Sequence, residues 1–166
     1  HVPSGYALHV WESLLLAGKD LGCAPFGVEA QRILRLEKGH FIVGQDTDGL
    51  TKAPTAGLQN LVKLDKEDMV GLPELADSFT NDQLPVLVAI QTDDPQVVPE
   101  EAAQIVKEES NQILGRVTSS RMSPTLQRSI CLAQVTPEVS QPESKITILL
   151  ASGRRFPATV LSGHAH

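Results

Sequence analysis

The chain of 166 residues is poor in aromatics, with one Trp, one Tyr and four Phe. A core must therefore be assembled from Leu, Val, Ile and Ala. Excess positive charge is also missing. The formal net charge is -6, which argues against a general nucleic-acid surface, because clustered Lys and Arg are what neutralise phosphates. No apolar run approaches the ~20 residues that span a bilayer, and the first residues lack the basic-then-apolar order of a signal segment. Cysteine is scarce. Cys23 and Cys131 stand far apart among apolar neighbours, so two buried, reduced thiols are expected rather than a disulfide framework, as in a cytoplasmic protein.

Several kinds of chemistry are absent as patterns. There is no phosphate-binding glycine loop and no serine in a nucleophile elbow. His1, His9, His40, His164 and His166 lack the short pairs that bind zinc. Asp46-Thr47-Asp48-Gly49 begins like a calcium loop, but it lacks a third oxygen ligand before the glycine and the later glutamate. It reads better as a turn built on Asx side chains. No metal site is expected.

What is present falls into two textures. Ala7, Val10, Trp11, Leu14 and Leu15 recur at helical intervals and stop at Gly18, with Trp11 expected as a core anchor. After Gly22 and Pro25-Phe26-Gly27, a second helix runs through Ala30, Ile33 and Leu34 to Glu37. Lys38-Gly39 stops it, since glycine enters the left-handed cap without strain. The stretch Leu34 to Gly49 then reads as a joint: helix end, glycine, short buried strand Phe41–Val43, and acidic turn. It could also line a pocket. Gln59–Leu64 is a further candidate strand, and Pro73 suits the first turn of a short helix ending near Phe79.

Arg35 and Glu37, two apart on a helix, must reach different neighbours. Arg32 and Arg35 share an edge, as an anion-binding pair or simply a solvated face. His40 follows the cap and is either a hydrogen-bonded structural residue or a pocket residue.

From Asn81 onward short β-like runs predominate: Pro85–Gln91, Gln104–Lys107, Ile113–Ser119, Arg128–Val135, Lys145–Leu150 and Phe156–Leu161. Glu100–Ala103 could form one helical turn. Ala151-Ser152-Gly153-Arg154 is a hairpin connection with glycine at a positive φ. The fold class is α+β, with residues 1–80 helical and mixed, and residues 81–166 a small antiparallel barrel or sandwich. The start His1-Val2-Pro3, which reads as the tail of a strand, and the unfinished end Gly163-His164-Ala165-His166 suggest a piece of something longer.

Three stretches carry a resemblance. Gly27-Val28-Glu29-Ala30-Gln31-Arg32-Ile33-Leu34-Arg35-Leu36-Glu37-Lys38-Gly39 resembles the signature of the glycine-cleavage T-protein (aminomethyltransferase) family. Ile42-Val43-Gly44-Gln45-Asp46-Thr47-Asp48-Gly49 looks like the branch found in the α subunit of heterotetrameric sarcosine oxidase. Gly115-Arg116-Val117-Thr118-Ser119-Ser120, with Ser123-Pro124-Thr125 and Arg128-Ser129-Ile130, is similar to the C-terminal barrel of both. The resemblance implies the C-terminal part of a folate-binding fold followed by a β-barrel. It also implies a tetrahydrofolate cofactor and transfer of a one-carbon unit from an amine-derived iminium to give 5,10-methylenetetrahydrofolate. Flavin and NAD would belong only to other parts of an oxidase complex.

On the same ground Gln31, Arg35, Glu37 and His40 fall where relatives approach folate. Gln31 replaces the family's arginine, and His40 follows the glycine stop. The family's catalytic aspartate and pterin-gripping glutamate would precede His1, and its late aromatic contact would lie at or beyond His166. The implied partners are folate, the upstream half of the same protein and other oxidase subunits. Two other readings are carried beside this one. The iron–sulfur assembly factors of the same fold have Lys-Gly-Cys where this chain has Lys38-Gly39-His40, so this chain lacks their thiol. A subunit scaffold that binds no folate is the third.

Overall fold

The computed structural model describes residues 1–163, and the expectations for His164, His166 and the end of the chain lie outside them. The chain divides into two compact units, His1–Gln31 and Arg32–His166. In the first, a 3-10 turn at Ser4–Tyr6 leads into α1 (Ala7–Ala17), where a strand tail was expected at His1–Pro3. None of the α1 residues is buried, and Trp11 is 52 % exposed. The expected core anchor is therefore not one. So short a unit has too little volume to enclose a large side chain. Gly18 and Gly22 bring Cys23 back so that its amide N–H donates to the Gly18 carbonyl at 3.0 Å. This leaves the thiol exposed rather than buried.

The helix α2 (Val28–Glu37) ends as the sequence indicates. Gly39 takes φ 69°, and the His40 amide donates to the Arg35 carbonyl at 2.7 Å. A third helix, α3 (Leu72–Thr80), carries its proline in the first turn.

Six strands follow: β1 (Val86–Thr92), β2 (Gln104–Val106), β3 (Ile113–Ser123), β4 (Arg128–Val135), β5 (Lys145–Leu149) and β6 (Arg155–Val160). They close in the order β1-β4-β3-β2-β5-β6, every pair antiparallel, with β6 returning to β1. Closure leaves no unpaired edge to seek a partner. Ile90, Ile105, Val117, Val135, Ile148 and Val160 are fully buried and form the interior. A second cluster lies on the outside of β1 and β4, where Leu36 from α2 meets Ile130 and Leu132, with Phe41, Leu87 and Ala89 around them. Aliphatic side chains thus fill both layers, as the shortage of aromatics requires.

Gly115 stands opposite Val135 in the β3–β4 ladder. A Cβ there would collide with the Gln134 carbonyl oxygen and lie 2.9 Å from the Val135 Cα. Backbone, unlike a flexible side chain, cannot step aside. Gly115→Ala is therefore expected to lower unfolding stability by about 1–3 kcal/mol, measured as the shift in urea midpoint at constant slope. A change under about 0.5 kcal/mol, the ordinary range of a surface substitution, would mean that the strands separate freely there.

Two sequence expectations fail for a common reason. Phe41–Val43 is not a buried strand. Its only ladder contact is an isolated bridge between Val43 and Thr47, and Ile42 and Val43 are exposed. Its backbone groups are satisfied inside a turn instead: the Asp46 and Gln45 amides both donate to the Ile42 carbonyl, and Gly44 donates to Thr47. Gln59–Leu64 likewise opens with a 3-10 turn, Gln59–Leu61. Local closure captured the donors that a strand would have offered. Glu100–Ala103, expected as one helical turn, is instead a tight non-helical turn, since Ala102 takes φ 68° while the Ala103 amide donates to the Glu100 carbonyl. The β5–β6 connection is the expected hairpin, with Gly153 at φ 81°.

Candidate functional site

The joint of residues 34–49 is built around Asp46, which is 0 % exposed. A buried carboxylate must have its lone pairs satisfied, and here four donors converge. The hydroxyls of Thr118 and Ser119 each donate to Oδ1 at 2.6 Å. Arg35 Nη1 and the Ile42 amide donate to Oδ2 at 2.5 and 2.8 Å. Adjacent strand residues normally face opposite sides of a sheet. Thr118 and Ser119 reach one oxygen together because the β3–β4 register slips between Val117 and Ser119, a bulge that adds one residue and re-aims its side chain.

Arg35 is the other half of this hub, with its side chain 11 % exposed. Besides Asp46 it donates to Ser119 Oγ at 2.7 Å and to the His40 carbonyl at 3.2 Å. It is not part of a solvated edge. Glu37, 4 % exposed, turns the other way and accepts a 2.6 Å bond from Ser123 Oγ. The two residues therefore reach different partners, as their spacing requires, and both partners lie on β3. Gln45 Nε2 adds donations to Ser119 Oγ at 3.0 Å and Glu101 at 3.1 Å.

Next to the hub is a cleft of about 820 Å³, lined among others by His40, Phe41, Leu58, Leu87, Leu132 and Leu161. Its volume falls in the range of small-molecule sites, whose walls are mostly apolar with few polar groups. His40 is the one sequence-selected residue on its wall, and it is exposed. Gln31 belongs to the first unit and is exposed there. A second cleft of about 620 Å³ borders Lys107, Lys145 and Arg155. Arg155 is engaged there by the Glu108 carbonyl and Asn111.

The acidic turn behaves as an Asx turn at Asp48, whose Oδ1 accepts from the Leu50 and Thr51 amides and the Thr51 hydroxyl. These bonds, the Leu50 amide first, hold the Asp48 carboxyl below its ordinary pKa. Burial raises the pKa of the Cys131 thiol. That thiol lies among Ser120 and Ser129.

Sequence reasoning missed Asp46, Thr118, Ser119 and Ser123. The available signal was the run of small hydroxyl residues Thr118-Ser119-Ser120 in the middle of a β segment that opens with Ile113, Leu114 and Val117. Such a run inside a closed barrel implies partners on both faces.

The chain is matched over residues 1–66 by the GCVT N-terminal domain, and over residues 86–165 by the glycine cleavage T-protein C-terminal barrel domain. It is 37 % identical over 144 residues to the aminomethyltransferase of Halothermothrix orenii, covering 87 % of this chain and 40 % of that protein. Similarity to the sarcosine oxidase subunit alpha of Corynebacterium sp. (strain P-1) is 35 % over 141 residues, 81 % of this chain and 14 % of that one. The crystal structure of glycine cleavage system aminomethyltransferase T from Bartonella henselae superposes with a TM-score of 0.78 over 97 % of this chain and 44 % of its own length. Its identity of 22 % speaks for the fold alone. A helical segment feeding a closed antiparallel barrel, with the joint wedged on β3, is thus the T-protein architecture. The chain belongs to the glycine-cleavage T-protein (aminomethyltransferase) family. It spans less than half the length of the relatives it matches.

Proposed function

We propose that the chain is the C-terminal portion of a folate-dependent one-carbon transfer enzyme of the aminomethyltransferase and sarcosine oxidase alpha type. In the whole protein it would help pass a methylene unit from an amine-derived iminium to tetrahydrofolate in the cytoplasm. The single observation that carries this reading is the cleft behind the joint. Apolar walls from Phe41, Leu87 and Leu132 suit a fused heteroaromatic ring, and His40 lines the same cleft, where it could exchange a hydrogen bond with it. Exclusion of water matters for such chemistry, because an iminium carbon must meet folate nitrogen before it is hydrolysed.

The role of each selected residue differs within this proposal. His40 contacts the ligand. Arg35 and Glu37 act behind it, since the hydrogen bonds of both run to the turn and the barrel rather than the cleft. Gln31 offers an amide where a charged contact to a folate carboxylate would otherwise stand. Residues 1–80 would belong to the folate-binding part and 81–166 to the barrel domain. The two family matches, ending at 66 and resuming at 86, support this division. Flavin and NAD would be bound by other parts of an oxidase complex, and the upstream half of the protein would be a partner of this one.

A scaffold reading is favoured by one observation: Arg35 and Glu37, the residues that most resemble family site positions, are consumed in holding the joint to the barrel. The two readings separate by calorimetric titration of the chain with tetrahydrofolate, alongside an assay for methylenetetrahydrofolate formation. Saturable binding without turnover is expected, because the catalytic carboxylate that the resemblance implies has no counterpart among these residues. Absence of binding at high micromolar folate would establish the scaffold reading. Turnover by the chain alone would overturn the assignment of the carboxylate to another segment.

A further inference from the structure

The Asp46 hub has a second consequence. Its Oδ2 accepts from the Ile42 amide at 2.8 Å, immediately after Phe41 in the chain. The same oxygen accepts from Arg35 Nη1, which also donates to the carbonyl of His40, immediately before Phe41. The His40 amide in turn donates to the Arg35 carbonyl at 2.7 Å. One carboxylate oxygen thus brackets His40 and Phe41, two of the residues that the joint places on the cleft wall. Its own position is fixed by the paired hydroxyls of Thr118 and Ser119 on Oδ1, and its backbone carbonyl accepts from Gln134 Nε2 at 3.2 Å.

We propose that Asp46 is the positioning residue of the cleft: through Arg35 and the Ile42 amide it sets where the His40 and Phe41 side chains stand toward a bound ligand. This rests on reading the cleft as the folate-binding surface. Asp46 itself touches no ligand, and its influence passes through the backbone on either side of Phe41. A purely structural buried pair would contribute stability wherever it sat. This one is tied to the carbonyl of His40, on the cleft wall, and to the amide of Ile42, the residue after Phe41.

The test compares the wild-type chain with Asp46→Ala, Asp46→Asn and Ser123→Ala. It uses amide hydrogen exchange at His40 and calorimetric titration with tetrahydrofolate. The His40 amide is informative because its acceptor, the Arg35 carbonyl, is untouched by substitution at Asp46. In Asp46→Ala, His40 protection is expected to fall, and affinity for tetrahydrofolate to weaken on the order of tenfold, the scale of one lost hydrogen bond to a charged group. Asp46→Asn should recover only part of both: its amide oxygen still accepts from Arg35 and Ile42 and its NH₂ can meet the Thr118 hydroxyl, but Ser119 Oγ already accepts from Arg35 and Gln45, and Arg35 loses its counter-charge. Ser123→Ala breaks the separate link to Glu37 and should leave His40 protected.

Unchanged His40 protection in a folded Asp46→Ala chain would overturn the proposal, as would equal loss in Ser123→Ala. Should the alanine variant not fold, Asp46→Glu carries the same measurement, keeping the charge while displacing the oxygens. If the wild-type chain binds no tetrahydrofolate, the folate reading falls, while the exchange data still decide the positioning role.

Discussion

Arg35→Met is expected to cost about 3–5 kcal/mol of unfolding stability, the range for stripping one partner from a buried ion pair. The reasoning is an asymmetry. The pair itself need not stabilise the fold much beyond a well-packed apolar substitute, because bringing two charges out of water is costly. Losing only the guanidinium, however, leaves Asp46 in a site with 0 % exposure and no cation beside it. Three donors would remain: the Ile42 amide and the hydroxyls of Thr118 and Ser119. They moderate the loss and place the expectation at the lower end of the range. The double variant Arg35→Met with Asp46→Leu should recover part of it, so a double-mutant cycle would show strong coupling. Urea unfolding followed by circular dichroism measures both. A single-variant loss below about 1 kcal/mol, the scale of an exposed pair, would mean that water reaches the hub.

Ile148→Ala is the second large effect, at about 2–5 kcal/mol. Ile148 has 0 % exposure and sits mid-strand in β5, opposite Ile105 on β2 and Phe156 on β6. The closed barrel is hydrogen-bonded all the way round, so the walls cannot move inward without breaking ladder bonds. The void therefore persists, and the cost includes the lost contacts as well as the lost transfer energy. Ile148→Val, which removes one methyl group, should cost only about 0.5–1.5 kcal/mol. Equal losses for the two variants would mean that the interior repacks like a loose cluster.

These two effects separate what each part of the chain contributes. The barrel supplies stability through aliphatic packing. The end of α2 is held to β3 by polar contacts at Ser119 and Ser123, and Asp46 of the joint adds bonds from Thr118 and Gln134. A change at Ser119 is expected to reach the cleft wall, whereas a change in the barrel interior is expected to lower stability without that local signature.

Much of this was written in the sequence. The spacing of Ala30, Ile33 and Leu34 with Lys38-Gly39 determined α2 and its stop, because helix period and glycine's access to positive φ are local properties. Six short β-like runs between turn signals determined the strands, all within a few residues of their observed ends. The different reach of Arg35 and Glu37 followed from helix geometry alone. What the sequence could not decide was anything that depends on who meets whom across the chain. Trp11 lies on a helical apolar stripe, yet periodicity does not say whether a stripe is covered, and this one is half exposed. Phe41–Val43 has strand composition, but its polar groups close locally: the Ile42 amide donates to the Asp46 carboxylate, and the Ile42 carbonyl accepts from the Gln45 and Asp46 amides. Above all, Asp46 was legible only as a turn residue. Its burial depends on a bulge in β3 more than seventy positions later, which turns two neighbouring hydroxyls toward one oxygen. Local chemistry determined the elements, and tertiary register alone decided which carboxylate they would enclose.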